Sequence, residues 1–130
     1  MSTPRLLIVD DSRAQRFILR RCLEGQDVEI VGEAADGREA TEKFQHLRPD
    51  VVLLDLVMPE MDGHEALDHI LTFDPNARVV IASSVGSEET VRACLSRGAI
   101  SFLQKPFATE ALLRAIQEAA SGASEAVCRR

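Results

Sequence analysis

Short apolar runs alternate with amphipathic stretches along the whole chain. Leu6-Leu7-Ile8-Val9, Val51-Val52-Leu53-Leu54 and Val79-Val80-Ile81-Ala82 are unbroken apolar runs of strand length. Strands covered on both faces read this way, so these three predict the centre of a parallel sheet. The complete strand pattern falls at about 5–10, 28–34, 50–55, 78–83 and 100–104.

Helical spacing fills the gaps. The first helix, about 12–24, carries Ala14, Ile18 and Cys22 at four-residue intervals, with Ser12 or Asp11 as cap and Gly25 as terminator. Asp36-Gly37-Arg38-Glu39 has the form of a capping box, followed by Ala40, Phe44 and Leu47 as an inner face and Pro49 as a stop. Asp62-Gly63 opens a third helix to about 73, with Ala66, Leu67, Ile70 and Leu71 inward and a turn at Asp74-Pro75-Asn76. Ser87 and Gly98 bracket a fourth, and Thr109 caps a fifth that buries Leu112, Ile116 and Ala119. Strict strand–helix alternation predicts a doubly wound α/β fold. Right-handed crossovers then bring all strand C-termini to one crevice, where open α/β sheets bind ligands.

What stands at those strand ends carries the chemistry. Asp10 and Asp11 follow the first run, Asp55 the second and Ser83 the third, and Lys105-Pro106 follows Ser101-Phe102-Leu103-Gln104. Clustered carboxylates repel one another and need neutralising, which a hard divalent cation such as Mg²⁺ does through oxygen ligands. An Asp at a rigid strand end can also act as a covalent nucleophile and form an aspartyl phosphate. Ser84, next to Ser83, is a second hydroxyl at the same strand end.

The motifs Ile8-Val9-Asp10-Asp11-Ser12, Leu54-Asp55-Leu56-Val57-Met58-Pro59, Met61-Asp62-Gly63 and Lys105-Pro106-Phe107 together resemble a response-regulator receiver domain over roughly residues 5–120. The resemblance implies a flavodoxin-like sheet of order 2-1-3-4-5 with five helices. It implies Asp55 as phosphoryl acceptor, with Lys105 and Ser83 contacting the phosphoryl oxygens; the spacing to Lys105 favours Ser83 over Ser84. It implies Mg²⁺, or Mn²⁺, held by Asp11, Asp55 and the Val57 carbonyl, with Asp10 acting through water. It implies a cis bond before Pro106 and a switching aromatic at Phe102, which on its own residue type reads as packing. The readout face would be the fourth helix, fifth strand and fifth helix, with Glu89, Arg92, Arg97 and Gln104 exposed. Positions Val57 and Val85 would influence the lifetime of the phosphorylated form.

The expected partners are a sensor histidine kinase or phosphotransfer protein and a downstream protein target, in the cytoplasm. A competing reading is a Mg²⁺-dependent phosphohydrolase with an aspartyl-phosphate intermediate. Asp55-Leu56-Val57 lacks the second Asp of the haloacid-dehalogenase pattern, which weighs against it. No P-loop or Gly-x-Gly-x-x-Gly is present.

Composition adjusts this picture at the margins. A chain of 130 residues predicts one domain, read as residues 1–121, followed by a tail or linker start at 122–130. The chain stands alone in chemotaxis fashion or is one piece of a larger regulator. The formal charge of −6 disfavours binding to nucleic acid or anionic membrane. Cys22, Cys94 and Cys128 are widely spaced, which predicts reduced thiols rather than a metal or dithiol motif, and Cys22 and Cys94 fall in helical patterns that predict packing roles. His46, His64 and His69 fall in helical patterns and predict surface roles.

Overall fold

A computed structural model describes residues 3–58 and 63–121. Five strands, β1 (Arg5–Val9), β2 (Glu29–Ala34), β3 (Val51–Asp55), β4 (Val79–Ser83) and β5 (Ser101–Gln104), form one parallel sheet in the order β2-β1-β3-β4-β5. The helices are α1 (Arg13–Leu23), α2 (Gly37–Leu47), α3 (Gly63–Phe73), α4 (Glu88–Arg97) and α5 (Thr109–Ser121). The predicted fold class and strand order are those observed. Pro59, Met61 and Asp62, like the tail at 122–130 with Cys128, lie outside the described residues.

The unbroken apolar strands are split by the pleat between two cores. Leu7, Val9, Val52, Leu54, Val79 and Ile81 face α2 and α3, packing with Ala40, Phe44, Leu67 and Ile70. Leu6, Ile8, Val51, Leu53, Val80 and Ala82 face α1 and α5, packing with Leu19, Leu23, Leu112 and Ile116. Burying each Leu or Ile side chain contributes about 1.5–3 kcal/mol. Neighbouring positions on one strand thus hold opposite layers, and the strand ends are fixed from both sides.

Local signals explain most helix ends. Ser12, rather than Asp11, caps α1: its hydroxyl accepts from the Gln15 N–H at 3.2 Å. Asp36 caps α2 by accepting from the Glu39 N–H at 2.8 Å. The Glu39 carboxylate reaches back one residue further than a capping box requires, to the Ala35 N–H at 2.8 Å. Ser87 caps α4 and Gly98 ends it at φ 116°. The terminator of α2 is Arg48, left-handed at φ 48°, one residue before Pro49.

Two helix readings need correction. The face of α1 at Ala14, Ile18 and Cys22 is not the core face. Leu19 and Leu23 are buried, Ala14 and Ile18 are exposed, and Cys22 is half-buried. Apolar residues lie on several sides of this helix, and contact with α5 selects which of them is covered. Thr109 is the first residue of α5 rather than its cap, because the Leu112 N–H already bonds the Ala108 carbonyl at 3.1 Å.

Candidate phosphoryl-acceptor site

Parallel pairing places the ends of β1, β3, β4 and β5 side by side. Val9 pairs with Leu54, Asp55 with Ala82, and Ser83 with Gln104. The residue following each strand, or ending it, therefore enters the same crevice. Asp10, Asp11 and Asp55 offer carboxylate oxygens that all lie within 4.8 Å of one another. Asp10 and Asp55 are buried, and Asp11 is exposed.

Lys105 answers this negative cluster from β5. Its Nζ is 3.0 Å from Asp10 Oδ2 and 3.7 Å from Asp55 Oδ2. Its main-chain N–H donates to the Ser83 carbonyl at 2.9 Å, which locks the Lys105 loop to the end of β4. The Lys105–Pro106 bond is cis, as the resemblance implies. Asp10 is further fixed by the Ser12 N–H, which donates to its Oδ1 at 2.9 Å. Asp55 accepts from the Val57 N–H at 3.4 Å. Burial pushes the Asp55 carboxyl above the ordinary aspartate range; Lys105 opposes that, the Asp10 charge adds to it, the Val57 N–H opposes it, and the Asp11 charge adds again.

The remaining predicted residues separate clearly. Ser83 is fully buried and its hydroxyl accepts from the Val85 N–H at 3.0 Å, whereas Ser84 is exposed. Phe102 is half-buried and packs against the core on the α2–α3 side. Val57 is exposed at the rim. Glu89, Arg92, Arg97 and Gln104 are exposed, as expected. Of the histidines, His46 and His69 are exposed on α2 and α3, while His64 is half-buried with Nε2 3.9 Å from Cys94 Sγ.

Gly63 closes the β3 side of the site. Its N–H donates to the Leu56 carbonyl at 2.8 Å. A Cβ there would lie 2.4 Å from the Asp55 carbonyl oxygen and from Leu56 Cα, so only glycine permits this approach.

One participant was not anticipated. Arg16, on α1, donates through Nη1 to the Asp10 carbonyl and pairs through Nε with Glu33 Oε1 at 2.8 Å. The sequence offers only an Arg four residues past the Ser12 cap, which by itself does not mark this role; the fold brings it to the ends of β1 and β2.

The donor set fits a hard divalent cation. Three carboxylates against one ammonium leave the cluster negative, and all its candidate ligands are oxygens, with no Cys or His among them. Among the described residues, no helix is long and apolar enough to cross a membrane.

The chain matches the model of the response regulator receiver domain over residues 6–117. It is 41% identical to chemotaxis protein CheY of Listeria monocytogenes over 116 residues, 89% of this chain and 98% of that protein. Among solved structures it resembles a chain of the CheX-CheY-BeF3-Mg²⁺ complex from Borrelia burgdorferi, with a TM-score of 0.83, 38% identity, and coverage of 88% of this chain and 87% of that one. It also resembles the response regulator domain of Thermotoga maritima CheB, with a TM-score of 0.82, 36% identity, and coverage of 92% and 97%. With a family match over nearly its whole length, the chain belongs to the response regulator receiver domains, the CheY-like signalling modules of two-component systems.

Proposed function

We propose that this receiver is a phosphorelay switch that takes a phosphoryl group from a phospho-histidine donor onto Asp55. The observation that carries the reading is the Asp10, Asp11 and Asp55 cluster, its oxygens within 4.8 Å, with Lys105 reaching two of the three. Asp11, Asp55 and the Val57 carbonyl would hold Mg²⁺, with Asp10 acting through water. Bound there, Mg²⁺ neutralises charge on the transferring phosphoryl group.

The chain's own residues do the rest. An Asp55 carboxylate oxygen forms the new bond to phosphorus as the phosphorus–nitrogen bond to the donor imidazole breaks. The imidazole leaves with the electron pair. Lys105 exchanges its contact with Asp55 for a phosphoryl oxygen, and the Ser83 hydroxyl turns from the Val85 N–H to donate to another. Phe102 and the α4–β5–α5 surface, with Glu89, Arg92, Arg97 and Gln104, report the change to a downstream protein target.

The phosphoryl group is accepted once per cycle and lost slowly, without multiple turnover on a phosphate ester. The domain is residues 1–121, with 122–130 as tail or linker, and acts in the cytoplasm beside a sensor kinase or phosphotransfer protein. Binding to nucleic acid is disfavoured by the charge of −6. The metal assignment is tested by titrating Mg²⁺ calorimetrically into wild type and Asp11→Ala. Wild type should bind one ion and the variant at least about tenfold more weakly; equal affinity would sink the assignment.

A further inference from the structure

At the end of β1 the ladder stops but two backbone groups of Asp10 remain to be satisfied. The Asp10 N–H still pairs with β2, donating to the Ala34 carbonyl at 3.0 Å. The Asp10 carbonyl points the other way and is taken by Arg16 Nη1. The peptide joining Asp10 to Asp11 is therefore held from α1, while the preceding one is held from β2. A peptide is planar, so fixing its carbonyl direction fixes where the next Cα starts. That next residue is Asp11, exposed at the mouth of the crevice.

Arg16 is itself locked. Its side chain is only 15% exposed, and its Nε pairs with Glu33 Oε1 at 2.8 Å. Glu33 in turn also pairs with Arg20, and its backbone carbonyl accepts from Lys43 Nζ. The chain of contacts runs from α2 through β2 and α1 to the metal-side backbone. Guanidinium geometry suits this, because one planar group can serve a carboxylate and a carbonyl together.

Resting on the metal site proposed above, we infer that Arg16 is a positioning residue: by holding the Asp10 carbonyl it sets the direction of Asp11 as a Mg²⁺ ligand, with Glu33 holding Arg16. Charge and geometry here predict opposite signs. Arg16 is a cation near a cation site, so its loss through charge alone should tighten Mg²⁺ binding. Its loss through geometry should weaken binding, because partners one shell out from a metal typically govern about 10–100-fold in affinity.

The test is calorimetric Mg²⁺ titration of the full chain for wild type, Arg16→Met, Arg16→Lys and Glu33→Asp, with amide NMR spectra to verify folding and to follow the Asp11 and Ser12 signals. Arg16→Met should bind Mg²⁺ about tenfold more weakly. Arg16→Lys, which keeps a donor for the carbonyl, should recover most of that loss. Glu33→Asp, which keeps every charge but draws the carboxylate back from Arg16 by one methylene, should weaken binding by roughly 2–5-fold. Unchanged or tighter binding in a folded Arg16→Met overturns the inference. If Arg16→Met does not fold, Glu33→Asp decides, and wild-type affinity there overturns it. A wild type that binds no Mg²⁺ fails the metal site itself and this inference with it, a result read on wild type alone.

Discussion

The Lys105 ammonium lies 3.0 Å from Asp10 Oδ2, joining residues separated by 95 positions in sequence. This contact makes Lys105 the resident counter-charge of the cluster, and so a competitor of any metal. Lys105→Met should therefore bind Mg²⁺ more tightly, by roughly 3–10-fold, while accepting phosphoryl groups more slowly for want of a cation on the phosphoryl oxygens. Calorimetry and labelling rates measure the two effects separately. Weaker metal binding in the variant would contradict this division of roles.

Asp55 gives a pH-dependent prediction. Burial raises its folded pKa above the unfolded value. A carboxyl so shifted contributes stability that is fully present below the unfolded pKa and lost as pH rises through the folded one. Metal-free Asp55→Asn should then be more stable than wild type near pH 7, by a few degrees in Tm, with about 4 °C corresponding to each kcal/mol. The advantage should shrink as pH falls toward the ordinary aspartate range. Thermal melts in a chelator across that range check it; a constant or reversed difference counts against the shift. Mg²⁺ should raise the Tm of wild type more than that of Asp55→Asn.

Gly63 is required by proximity rather than by its backbone angles. Gly63→Ala drives a methyl to 2.4 Å from the Asp55 carbonyl oxygen, a rigid backbone atom. The expected cost is about 1–3 kcal/mol, together with weaker Mg²⁺ binding as the end of β3 shifts. Denaturant unfolding measures the first. A variant as stable as wild type would mean that the loop after β3 yields easily.

Much of this was legible because a buried parallel sheet leaves a plain signature. The runs ending at Asp10, Asp55 and Ser83 give both strand and site, since a parallel sheet places the ends of its strands together. What was not legible depends on which neighbour arrives. The apolar residues of α1 allow several faces, and α5 chose Leu19 and Leu23 over Ala14 and Ile18. The register shift between Leu6 and Leu7 falls opposite Val31 and Gly32 of β2, and a glycine inside a strand is the one residue that hints at such a bulge. Arg16 was not singled out in the sequence, and only the fold brings the Asp10 carbonyl within its reach.

The rim residues set the expected lifetime of the phosphorylated form. Val57 and Val85 are 61% and 47% exposed, at the loops that follow β3 and β4. Hydrolysis needs a water in line with the phosphorus–oxygen bond. Valine cannot hydrogen-bond that water, and its branched side chain obstructs it. Wild type should lose its phosphoryl group at least about tenfold more slowly than a Val57→Asn, Val85→Glu variant, whose carboxylate and amide can orient water. Following decay after donor removal at saturating Mg²⁺ tests this; equal rates would rule the argument out.

The most direct test of the central claim is intact-mass analysis of the chain after incubation with acetyl phosphate and Mg²⁺. The account predicts a single added phosphoryl group, mapped to Asp55, absent with a chelator and absent in Asp55→Asn. Labelling that persists in Asp55→Asn, or that appears equally without metal, would contradict it.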